Sequence, residues 1–146
     1  MKAIVITGAS SGIGQATALT FLNAGWRVGL TARRADRLEA MAAEHAHAIP
    51  QPADVTDPQA MDAAFGAFID QAGRLDALFN NAGLYGPTAP PDEVPVAGLK
   101  TAHTDMHRMN VNDAARSVLH MADLLLATNV QFMTVLATKM PCDAFS

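Results

Sequence analysis

The sequence predicts an α/β fold, a doubly wound parallel sheet of about five strands, in a single domain covering residues 1–146. Three observations carry this expectation. Apolar, β-rich runs alternate with longer stretches of helical periodicity, the pattern of βαβ units. The first run, Ala3 to Thr7, is continuously apolar up to its last residue, as a strand covered on both faces must be. A glycine-rich turn then joins this run to the first helical pattern.

The elements follow in order. Ala3 to Thr7 is a strand, and Gly12 to Ala24 a helix stopped by Gly25. Arg27 to Ala32 is a second strand. Asp36, suited to a helix cap, opens a helix that runs to about His45 with Leu38, Met41 and Ala42 on one face. Ala48 to Pro52 is a short third strand. Asp57 caps the next helix, Pro58 takes its first position, and Met61, Phe65, Phe68 and Ile69 are its buried residues up to about Ala72. Leu75 to Phe79 is a fourth strand. Pro87, Pro90, Pro91 and Pro95 mark a loop, helical periodicity resumes from His103 to about Leu126, and Val130 to Leu136 is a fifth strand.

Composition narrows the function classes. Half the residues are apolar, 16% are charged and the net charge is −4, which argues against nucleic acid as the main partner. No apolar run approaches the roughly 18–20 residues of a membrane span, so no membrane partner is expected. Met1-Lys2-Ala3 leads straight into the first strand, so no signal peptide is expected. The one cysteine, Cys142, has no partner for an internal disulfide and suits a reducing, cytoplasmic setting. His103 and His107 lie one helical turn apart, a spacing that binds metal, but no third ligand accompanies them and no metal is expected.

The main motif is Thr7-Gly8-Ala9-Ser10-Ser11-Gly12-Ile13-Gly14, set between a strand and a helix. Gly8 lets the chain turn tightly, Gly12 removes a side chain that would keep a pyrophosphate from the backbone, and Gly14 lets the helix pack on the sheet. The helix N-terminus offers N–H groups and a positive dipole end to phosphates, and Ser10 and Ser11 add hydroxyls. The stretch resembles the TGxxxGxG fingerprint of the short-chain dehydrogenase/reductase family. Two further marks follow in register. Asp54-Val55, after the third strand, matches the family position that contacts adenine. Asn80-Asn81-Ala82-Gly83, at the end of the fourth strand, is similar to the family's NNAG signature, which implies Asn81 near the cofactor ribose with Ala82 and Gly83 allowing close backbone approach.

The end of the second strand selects the cofactor. An acid there binds the adenosine ribose 2′-hydroxyl and repels a 2′-phosphate. This sequence has Thr31-Ala32-Arg33-Arg34, and arginine forks two donors onto a phosphate. NADP is therefore favoured over NAD, with Arg33 the main contact and Arg34 a second; the alternative is a solvated basic pair opening a helix.

The resemblance implies carbonyl or alcohol hydride transfer on a small substrate, with a tyrosine acid, a lysine four residues on, a serine, and an asparagine on the preceding helix. Met109-Asn110-Val111-Asn112 resembles the motif around that asparagine, which makes Asn110 the candidate, with Asn129 a second. Thr134-Val135-Leu136-Ala137-Thr138 stands where the serine belongs, with Thr134 or Thr138 as imperfect substitutes. The 146 residues end just beyond Pro141, before a YxxxK; the only tyrosine, Tyr85, is followed four residues on by Ala89. The expectation is a Rossmann-type domain truncated before that motif and lacking the family's last two strands. The fifth strand would then be an edge, opening the apolar face of residues 118–136 to self-association as a homo-oligomer. Three readings stay open: an NADP-dependent oxidoreductase, an NADP-binding module without catalysis, and a self-associating interaction protein on the same scaffold.

Overall fold

The computed structural model describes residues 1–83 and 110–124. The predicted fifth strand, Tyr85, the proline-marked loop, His103, His107, Asn129, Thr134, Thr138 and Cys142 lie outside the described residues. Within them the elements are β1 (Ala3–Thr7), α1 (Gly12–Asn23), β2 (Arg27–Ala32), α2 (Ala35–Glu44), β3 (Ala48–Pro52), α3 (Pro58–Ala72), β4 (Ala77–Phe79) and α4 (Val111–Asp123).

The four strands form one sheet in the order β3-β2-β1-β4, with every pair parallel. Ala3 to Thr7 align with Arg27 to Thr31 on one side of β1, and Ile4 to Ile6 align with Ala77 to Phe79 on the other. The chain thus steps outward from β1 to β3 and then crosses back to β4. This reversal beside β1 is where open α/β sheets bind ligands, outside the carboxyl ends of their strands.

Alternation along β1 divides the core between two faces. Ile4 and Ile6 join Phe21 and Leu22 of α1, Leu30 of β2, and Leu38 and Met41 of α2. Ala3 and Val5 join Ile49 of β3 with Phe68 and Ala72 of α3 on the opposite face. All five β1 residues are buried, as the continuous apolar run requires. Asp57 caps α3 by accepting from the Gln59 and Ala60 amides at 2.9 and 3.2 Å, and Pro58 takes the first position.

Three local expectations are corrected. Asp36 does not cap α2: the helix starts one residue earlier, Arg34 holds the cap position, and Asp36 falls in the first turn. There its charge still favours the positive end of the helix. On α3, Ile69 is 45% exposed, because the stripe facing the sheet is Phe68 and Ala72, one turn apart, flanked by half-buried Phe65. Met61 is also only half-buried. Regular pairing of β4 begins at Ala77, not Leu75. Asp76 precedes it: its amide donates to the Ala3 carbonyl at 2.8 Å, and its carboxylate accepts from the Ala3 amide at 2.8 Å.

Helix α4 packs against α1, with Val118, Leu119 and Ala122 set on the Phe21 and Leu22 cluster. This corrects the expected open face at its start: those residues are partly buried within the chain, because their apolar stripe finds a partner in α1. Lys2, at the foot of β1, pairs with Asp123 in the last turn of α4 at 3.1 Å and lies 5.0 Å from the centre of the Trp26 ring. Asn110 caps the far end of α4, accepting from the Asn112 amide at 2.9 Å.

Candidate functional site

The carboxyl end of β1 sets the site. Thr7 is buried, and its hydroxyl oxygen accepts from the Asn81 and Ala82 amides, both at 3.0 Å. Asn81 Nδ2 donates back to the Thr7 carbonyl at 3.2 Å. These three bonds fasten the end of β4 to the end of β1, 74 residues away in sequence. Thr7 is thus a brace between the two motifs, and it does not line the cleft.

The glycines act differently. A side chain at Gly14 would overlap the Gly8 carbonyl oxygen and stand 2.5 Å from Asn81 Nδ2. The loop, the start of α1 and Asn81 therefore meet at a point with no room for a methyl group. Gly12 has a φ of 57°, and the space where its side chain would stand is empty to 4 Å. That opening lies at the N-terminus of α1, which no side chain caps. Backbone N–H groups left without intrahelical partners there are suited to an anion.

The second wall comes from β2, α2 and the turn after β3. Arg34 Nη2 donates to Ser10 Oγ at 3.0 Å and to Ser11 Oγ at 2.9 Å. Arg37, one turn along α2, donates to the Ser10 carbonyl at 3.4 Å. Arg33 is exposed and faces Asp54. Asp54 Oδ1 accepts from the Thr56 amide at 3.0 Å and from the Thr56 hydroxyl at 2.8 Å. These bonds, followed by the positive charge of Arg33, hold its carboxyl below the ordinary carboxylate range. Among the described residues, Arg33, Arg34 and Arg37 have no ion-pair partner.

Between the walls lies a cleft of about 930 Å³, within the roughly 300–1,000 Å³ of small-molecule sites. It brings together eleven of the sequence candidates: Gly8, Ser10, Ser11 and Ile13 from the loop and the start of α1, Arg33 and Arg34 from the turn after β2, and Asp54, Val55, Asn81, Ala82 and Gly83, together with the unpredicted Thr56. Thr7, Gly12 and Gly14 shape it from behind or beneath, and Asn110 is not among its lining residues. Ile13 and Val55 are 37% and 43% exposed, apolar surfaces turned to solvent beside the cleft's polar groups. A smaller cavity of about 370 Å³ adjoins it, where Thr7, Val55 and Ala82 meet Met61, Phe65 and Leu78. Arg37 and Thr56 were missed by the sequence reading. The signals were the three-residue spacing of Arg34 and Arg37 at the start of α2 and the Asp-x-Thr turn after β3.

The residues present fit a dinucleotide. The uncapped helix end and the space at Gly12 admit a pyrophosphate, and the exposed apolar groups offer a face to a ring. Comparison with known proteins gives the class. The family model described as short chain dehydrogenase matches residues 2–133, and the chain belongs to that family. Serine 3-dehydrogenase of Agrobacterium fabrum is 48% identical over 99 residues, which are 67% of this chain and 40% of that protein. Sulfoacetaldehyde reductase of Chromohalobacter salexigens is 35% identical over 128 residues, 86% of this chain and 47% of that protein. The chain thus spans two fifths to one half of the length of these relatives. Among solved structures, a 3-ketoacyl-(acyl-carrier-protein) reductase from Brucella melitensis complexed with NADH superimposes with a TM-score of 0.59. It is 32% identical, over 66% of this chain and 40% of that one. A 3-ketoacyl-ACP reductase from Sinorhizobium meliloti gives a TM-score of 0.58 at 37% identity, over 65% and 39%. The family binds nicotinamide dinucleotides and acts on small substrates. No helix among the described residues is long and apolar enough to cross a membrane.

Proposed function

We propose that this chain holds NADP(H) for a short-chain oxidoreductase that transfers hydride between the cofactor and a carbonyl or alcohol. The observation that carries the NADP reading is the arginine wall. Two arginines without an ion-pair partner among the described residues, Arg33 and Arg34, border the ribose side of a cleft whose other wall suits a pyrophosphate, and Arg37 stands behind them on the Ser10 carbonyl. Arg34 donates to the two loop serines, and Arg33 is exposed at the cleft. Together they form a fork for the 2′-phosphate. The uncapped start of α1 and the opening at Gly12 take the pyrophosphate, Asp54 and Val55 border the adenine, and Asn81, Ala82 and Gly83 border the nicotinamide ribose. The bound cofactor supplies the hydride, and the protein's part is to bind, orient and polarise.

The proton that completes carbonyl reduction needs a donor within hydrogen-bond reach. The only tyrosine, Tyr85, has alanine at the position four residues on. We therefore assign cofactor binding to this chain and the full reaction to the longer architecture its relatives share. Asn110, at the start of α4, keeps its proposed part as a supporting group in that reaction, and self-association remains a proposal for the assembled protein. The test is paired. NADPH fluorescence should rise on adding the chain, and Arg33→Ala and Arg34→Ala should each weaken NADPH about tenfold while leaving NADH nearly unchanged. Equal losses for both cofactors would remove the 2′-phosphate role. With a panel of carbonyl acceptors, NADPH oxidation should run about 10²–10⁴ below a rate with positioned acid–base help. Fast turnover by these 146 residues would overturn the division of labour.

A further inference from the structure

Arg34 at the cap of α2 and Arg37 in its first turn stand three residues apart, close enough for like charges to repel. Both nonetheless point at the same residue of the glycine loop, and every acceptor they find there is neutral. Arg34 meets the Ser10 and Ser11 hydroxyls, and Arg37 meets the Ser10 carbonyl. That carbonyl belongs to the peptide linking the two serines. With Arg34 donating to both hydroxyl oxygens, the serine O–H hydrogens are left to turn elsewhere as donors. Two adjacent guanidinium groups over neutral acceptors, with no ion-pair partner among the described residues, form a site short of one anion.

We infer that Arg37 is a positioning residue for cofactor selectivity. It holds the Ser10–Ser11 peptide so that both hydroxyls and the Arg34 fork converge on a phosphate monoester, and it adds a further positive charge behind them. This rests on the NADP reading above and extends it to a residue outside the cleft lining.

The test uses the fragments that isolate the 2′-phosphate. The wild-type chain, Arg37→Gln and Arg37→Lys are titrated with 2′,5′-ADP and 5′-AMP by calorimetry at two salt concentrations. Loss of one charge near the phosphate should weaken 2′,5′-ADP about fivefold in Arg37→Gln. Affinity for 5′-AMP should not change, Arg37→Lys should recover most of the loss, and the salt dependence for 2′,5′-ADP should flatten in the glutamine variant. An equal loss for both nucleotides would show that Arg37 merely supports the loop and would overturn the inference. So would an unchanged preference in Arg37→Gln. A wild-type chain that holds 2′,5′-ADP and 5′-AMP alike would instead overturn the NADP reading beneath it.

Discussion

The two walls of the cleft are built on opposite plans. The wall at the ends of β1 and β4 is made of backbone and short side chains in contact: Gly14 against the Gly8 carbonyl, Asn81 against both, and Thr7 bracing two amides from behind. The wall at the ends of β2 and β3 is made of charged side chains held by one or two hydrogen bonds each: Arg34 and Arg37 on the loop serines, and Asp54 on Thr56. The first plan has no slack, so a methyl group is an intrusion. The second exchanges one side chain for another at little cost to the fold. The difference teaches where each property resides. Under the proposed function, the ability to hold any dinucleotide belongs to the interlocked wall, and the choice between dinucleotides belongs to the side-chain wall.

The sharpest way to break this division is Gly14→Val. Its side chain has no space between Gly8 and Asn81, so the loop and the end of β4 must part. We expect NADPH and NADH affinity both to fall by more than about 100-fold and stability to drop by about 1–3 kcal/mol, read by titration and urea denaturation. A variant that binds either cofactor normally would mean the contact is not needed. Thr7→Val comes next. It preserves shape but leaves the Asn81 and Ala82 amides without their acceptor, at about 2–3 kcal/mol. Both cofactors should weaken alike, and a selective loss of NADPH would blur the line between the walls.

The smallest effect is expected at the foot of the sheet, away from both. Asp76 accepts from Arg74 and from the Ala3 amide, and these bonds, with the Arg74 and Lys2 charges, hold its carboxyl below its usual value. A carboxyl lowered in the folded state stabilises above its unfolded pKa of about 3.9 and loses that contribution as pH falls through the folded value. Asp76→Asn should therefore cost about 1 kcal/mol at pH 7, and the gap to wild type should close as the medium is acidified below about pH 4. Cofactor selectivity should not move. A gap that persists in acid would assign the effect to packing.

Much of this was legible in the sequence, and unevenly so. β1, β2 and β3 run over the predicted residues, and α3 begins at Pro58 behind an Asp57 cap as read. Each of these rests on local signals: apolar runs, a cap and a proline. The misreadings arise where a distant partner decides. Ile69 looks as apolar as Phe68, but only the sheet's position tells which of two neighbours on a helix is covered. Asp76, just before β4, meets Ala3, 73 residues away, with both its amide and its carboxylate. The site follows the same rule. Glycine spacing and the arginine pair mark where a cleft forms, because backbone constraints leave a trace in residue type. The hydrogen bonds of Arg34 to Ser10 and Ser11, and of Arg37 to Ser10, cross 23 to 27 residues of chain, so the spacing of the two arginines does not disclose their partners.

The central claim is that one cleft holds a dinucleotide through its interlocked wall and prefers the 2′-phosphate through its arginine wall. Competitive titration of the chain with NADPH and NADH tests it most directly. The expected result is mutually exclusive binding at one site, with NADPH about tenfold or more the tighter at low salt and the gap narrowing as salt rises. Equal affinities, or an NADH preference that salt does not alter, would contradict it.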